Sequence, residues 1–194
     1  MRKAIFIEKD GALMENTDKR EPALMRFLPF AVDALKMLQS ANYLIIVTTR
    51  LPEVAHGILT DRDVERMRQY LEAMLMMFNI RTNGLYYCPH DPEGTVPAYA
   101  HSCECYASVP QLLLRAIADH QINMSAVWMI SSASSDLQAA KRLGCRTILI
   151  RDEETELLNA NTQQADFVAP DLYSAADYIT SLQQSIEEDC YAQA

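Results

Sequence analysis

Positive charge is scarce in this 194-residue chain: 17 Lys and Arg stand against 26 Asp and Glu, for a net charge of −9. That balance excludes an electrostatic grip on nucleic acid or on anionic lipid. Any phosphate-bearing ligand must therefore be held by local donors. No apolar run reaches the roughly 18 residues that a membrane span requires. Met1-Arg2-Lys3 leads directly into an apolar stretch with no signal-peptide pattern, so the expectation is a cytoplasmic chain. Repeats, low-complexity tracts and linkers are also missing, and the length suits one domain over residues 1–194. The five cysteines are an odd number without an export signal, which points to reduced thiols or metal ligands and away from a disulfide framework.

The hydrophobic fraction of 49% is ample for a core. Apolar patterning predicts strands at Lys3–Ile7, Tyr43–Thr48, Gly84–Tyr87, Ala126–Ile130 and Arg146–Ile150. It predicts helices at Phe30–Ala41, from Asp61 to about Phe78, at Val109–His120, at Ser135–Leu143 and from Tyr173 to about Glu188. Single helices between strands imply right-handed crossovers, hence an α/β three-layer sandwich with a mostly parallel sheet. The two longest irregular segments, Gly11–Pro29 and Cys88–Pro110, each follow a strand and belong at the site end of the sheet. Met74, Met76 and Met77 on the long helix suit core packing or pairing with another chain.

Two features carry chemistry. Strand Ile5-Phe6-Ile7 runs into Glu8-Lys9-Asp10-Gly11, which sets two carboxylates at a strand's carboxyl end, where open α/β sheets hold their sites. Cys88-Pro89-His90 and Cys103-Glu104-Cys105 are separated by twelve residues in one loop. Three thiols and an imidazole form a closed tetrahedral set whose softness favours zinc. With four protein ligands and no open position, such a zinc ion is structural. It would also cross-link a loop, over about residues 88–105, that has little apolar content of its own.

These residues resemble the haloacid dehalogenase (HAD) superfamily. The chain is similar to its D-glycero-D-manno-heptose 1,7-bisphosphate and histidinol-phosphate phosphatases, from about Lys3 to Val168. The most specific part is Tyr86-Tyr87-Cys88-Pro89-His90 with Cys103 and Cys105, supported by Tyr43–Thr48, Gly57 and Asp136–Ala140. The resemblance implies a HAD-like Rossmannoid fold without a large cap. It also implies a phosphoryl-transfer site in four parts, and each departs from the family pattern here. Where the family has Asp-x-Asp-Gly-Thr, this chain has Glu8, Asp10 and Ala12. Where it has Thr-Asn and then Gln to hold the phosphoryl group, this chain has Thr48, Thr49 and Arg50. Ala107 stands in the lysine position and Ser132 in that of a magnesium-binding Asp, while the later acid, Asp136, remains.

Glu in place of an Asp nucleophile lengthens the arm by about 1.5 Å, and a misplacement of about 1 Å can cost roughly 10²-fold. Loss of a charged phosphoryl stabiliser costs another 10²–10³ or so by analogy with oxyanion-hole deletions. The expectation is a phosphatase homologue with a degenerate site, stabilised by zinc and still binding a phosphorylated, sugar-like ligand. Two alternatives stay open. In one, the chain is an active phosphomonoester hydrolase: Glu8, Asp10 and Asp136 hold a weakened magnesium site, and Arg50 supplies the charge missing at Ala107. In the other, it is a structural or regulatory subunit of a partner enzyme.

Overall fold

The computed structural model describes residues 2–103, 105, 110–151 and 165–192. Six strands, β1 (Arg2–Glu8), β2 (Leu44–Arg50), β3 (Leu85–Cys88), β4 (Ile122–Ser131), β5 (Arg146–Ile150) and β6 (Phe167–Ala169), form one sheet. Their order is β3-β2-β1-β4-β5-β6, and every pairing is parallel. Five of the six match predicted strands; β6 was not anticipated. The helices are α1 (Ala31–Ser40), α2 (Pro52–Ala55), α3 (Asp61–Met76), α4 (Pro110–His120), α5 (Ser134–Arg142) and α6 (Leu172–Ala192).

Strand β1 reads as a continuous apolar run because both of its faces are covered. Ile5 and Ile7 pack under α1, α3 and α6 through Leu35, Leu71 and Ala175, among others. Ala4 and Phe6 face the opposite layer, where Leu113 of α4 and Leu137 of α5 close the second core. The predicted three-layer sandwich is therefore present. Outside the layers stand only short elements among the described residues: α2 and a 3-10 turn at Pro22–Leu24. No helix among the described residues is long and apolar enough to cross a membrane.

Local chemistry sets the boundaries. Helix α3 begins in a capping box: Thr60 Oγ1 accepts from the Asp63 N–H, and Asp63 Oδ2 accepts from the Thr60 N–H. On this helix Met74 packs against the core, whereas Met76 and Met77 are exposed. Trp128 and Cys145 are buried. The chain moves outward from β1 to β2 and β3, then crosses back to β4 on the other side of β1. This reversal opens a crevice at the carboxyl ends of β1 and β4, the usual ligand position of an open α/β sheet.

Candidate active cleft and metal-ligand loop

Residues from four elements meet at that crevice. Glu8 ends β1 and lies in register with Thr48 of β2. Its Oε2 accepts three hydrogen bonds: from Ser131 Oγ at 2.7 Å, from the Ser132 N–H at 2.8 Å and from Ser132 Oγ at 2.9 Å. The Glu8 arm thus spans from β1 to the end of β4 and meets the Ser132 hydroxyl there. Gly11 makes room for the pairing. It adopts φ +87°, and a Cβ there would lie 2.5 Å from Ser132 Oγ.

Asp10 is engaged on its other side. Its carboxylate contacts the Nζ of Lys9, accepts from Thr49 Oγ1 at 3.2 Å and lies 3.9 Å from Lys19 Nζ. Lys9 is only 2% exposed, so its ammonium is committed to this contact. Lys19 descends from the Gly11–Pro29 segment to pair with Glu53 of α2 at 3.0 Å. Arg50, at the end of β2, pairs with Asp136 of α5 and donates to Ser135 Oγ at 2.8 Å. Asp136 is 4% exposed. The hydroxyl of Thr48 is buried and turned to the Ile7 carbonyl at 3.5 Å.

Glu8, Asp10, Thr49, Arg50 and Asp136 therefore gather at one sheet end, but the acids are divided among separate donors. Asp136 is held by a guanidinium and Asp10 by ammonium groups. Glu8 Oε2 is filled by hydroxyl and amide donors. Among the described residues, these acids do not form a group of three or more potential metal ligands. Magnesium requires several oxygen ligands in near-octahedral array, and this donor set does not fit it. Ala107 lies outside the described residues. The sequence carries no signal for the roles of Lys9, Lys19 or Glu53. Lys19 lies within the long Gly11–Pro29 segment.

The second cluster does converge. Ligand atoms of Cys88, His90, Cys103 and Cys105 all lie within 4.8 Å of one another, with Cys88 Sγ 3.6 Å from both His90 Nδ1 and Cys103 Sγ. Burial pushes the thiols of Cys88 and Cys105 upward and holds the His90 imidazole below its ordinary value, next to His101. The neutral imidazole is the form that ligates; the thiols need a cation to ionise. This donor set fits a soft metal ion. His101 packs on His90 at 4.5 Å between ring centroids and is not part of the cluster. The loop is fastened to α2. The N–H groups of Thr95 and Val96 donate to the Ala55 carbonyl at 2.8 Å, His56 Nε2 lies 3.1 Å from Asp91, and a Cβ on Gly94 would strike Ala55 at 2.6 Å.

Comparisons with known proteins agree with this architecture. A family model described as HAD-hydrolase-like matches residues 107–175. The D-glycero-beta-D-manno-heptose-1,7-bisphosphate 7-phosphatase of Salmonella typhi is 27% identical over 183 residues, covering 93% of this chain and 95% of the relative. The corresponding phosphatase of Escherichia coli K12 is 26% identical over 91% of this chain and 87% of its own length. The D,D-heptose 1,7-bisphosphate phosphatase of B. bronchiseptica, solved with magnesium and phosphate, superposes with a TM-score of 0.78 at 20% identity, over 92% of this chain and 98% of that one. By these likenesses the chain resembles the haloacid dehalogenase superfamily and, within it, the heptose bisphosphate phosphatases.

Proposed function

We propose that this protein is a HAD phosphatase homologue that has lost efficient hydrolysis and serves as a zinc-stabilised binding or regulatory protein for a phosphorylated, sugar-like ligand. The observation that carries this reading is the engagement of Glu8. A nucleophilic carboxylate must aim an oxygen at phosphorus, and three donors on Glu8 Oε2 hold the arm toward the end of β4 instead. Near-attack geometry is lost when the arm is tied elsewhere. Asp10, the second acid of the motif, is drawn to Lys9, Lys19 and Thr49. The lysine and the magnesium acid of the family pattern are replaced by Ala107 and Ser132.

Zinc would be held by Cys88, His90, Cys103 and Cys105, and would supply a fixed cross-link with no open position for chemistry. Ligand binding would rest on the donors that this chain sets at the strand ends, chiefly Thr49 and Arg50, since the Thr48 hydroxyl is turned to the Ile7 carbonyl. The phosphorylated sugar is suggested by the names of the relatives, which are heptose bisphosphate phosphatases.

The test is turnover of a generic phosphomonoester with magnesium, run beside a Glu8→Ala control. Equal rates, at the level of buffer, are expected. A rate for the unaltered protein that collapses in the control would restore the hydrolase reading.

A further inference from the structure

We propose that Arg50 is a built-in counter-ion: its guanidinium keeps the charge balance that a divalent cation keeps in a magnesium-dependent phosphatase cleft, so this cleft assembles without magnesium. The starting point is Asp136. A carboxylate that is 4% exposed must be neutralised or paired. Arg50 reaches it from the end of β2, across the mouth of the cleft, and the same Nη2 donates to Ser135 Oγ at 2.8 Å. That contact ties β2 to the first turn of α5 by charge, which is what a bridging cation would otherwise do.

The rest of the cleft is balanced in the same manner. Its acids are Glu8, Asp10, Glu53 and Asp136, and its cations are Lys9, Lys19 and Arg50. Four negative charges against three positive leave one, and the charge left over belongs to Glu8, whose Oε2 takes three neutral donors. A dication would have to displace Arg50 from Asp136 to find a buried carboxylate oxygen. It would find Ser132, not a second acid, beside it. Arg50 is thus a positioning residue for the cleft. Arginine suits the place because it stays charged and offers several donors in a fixed plane.

This goes beyond the loss of hydrolysis, since a cleft can fail at turnover and still hold magnesium. The test therefore reads metal binding and melting, and either claim can fail alone. The protein as purified, dialysed into magnesium-free buffer, is titrated with magnesium chloride by calorimetry and melted with and without millimolar magnesium. The wild type should give no binding heat and no shift in melting midpoint. Arg50→Gln keeps a hydrogen-bond donor for Asp136 but removes the charge. It should melt lower and recover by about 2 °C or more when magnesium is added. Magnesium heat or stabilisation in the wild type would overturn the proposal, and this arm stands even if the variant does not fold. A variant that is weakened yet indifferent to magnesium would also overturn it, because Arg50 would then be packing alone.

Discussion

Glu8 of β1 and Ser132, just beyond β4, are joined by two hydrogen bonds to one carboxylate oxygen, from the Ser132 N–H at 2.8 Å and from its hydroxyl at 2.9 Å. Seen singly, each residue is a departure from the family pattern. Together they are complementary: the Glu8 arm reaches from β1 to the amide and hydroxyl that Ser132 offers at the end of β4. An Asp at position 8 would fall short by about one methylene, on the order of 1.5 Å.

That complementarity predicts the effect of Glu8→Asp. The shorter carboxylate should release Ser131 Oγ and both donors of Ser132, with a stability loss of about 1–3 kcal/mol for polar groups left unpaired. Ser131 is fully buried, which places the effect within that range and not below it. Thermal melting should show a midpoint several degrees lower, with no gain in phosphomonoester turnover. An unchanged midpoint would mean that the contacts carry no net stability.

Metal analysis of the purified protein should find about one zinc per chain. Cys103→Ser should reduce that content and open residues 88–105 to protease. Thiol ligands bind as thiolates, so zinc affinity falls as pH falls, and zinc should be released on acidification. Burial, which favours the protonated thiols of Cys88 and Cys105, adds to this trend. Protein fully folded at its loop but free of zinc would contradict the metal assignment.

Cys145 predicts an alkaline limb to stability. Burial pushes its thiol from the ordinary 9.0 to about 11. The folded state therefore holds this proton more tightly than the unfolded chain. The stabilisation is complete below pH 9, and it falls as pH rises from about 9 to about 11, the window in which only the unfolded chain ionises. Denaturant melts across that window should show stability falling in the natural protein and a shallower decline in Cys145→Ala. Parallel curves would remove Cys145 as the cause.

Much of this was legible in the sequence, for identifiable reasons. Strands such as Ala4–Ile7 are buried on both faces and read as apolar runs. The cysteine and histidine spacing marked a cluster that does converge. Strand β4 begins at Ile122, earlier than the predicted Ala126, because its first residues include Asn123 and Ser125, which carry no apolar signal. Strand β6 has only three residues, too few for a period. The sequence offers Arg50 as a charge for the position of Ala107; that its guanidinium meets Asp136 depends on how α5 is set against the end of β2. Lys19 was invisible because its partners, Asp10 and Glu53, are distant in sequence on either side. Such pairings depend on how loops fold over the sheet end, which local pattern does not encode.

The proposed function has hydrolysis lost through a linked set of changes at one cleft. It is tested most directly by restoring the set, as Glu8→Asp, Ala107→Lys and Ser132→Asp with Arg50→Gln, and measuring magnesium-dependent turnover of a phosphomonoester beside the natural protein. The account predicts turnover at buffer level in the natural chain and magnesium-dependent turnover in the restored one. Turnover in the natural chain that depends on Glu8 and on added magnesium, at a rate the restored protein does not exceed, would contradict it.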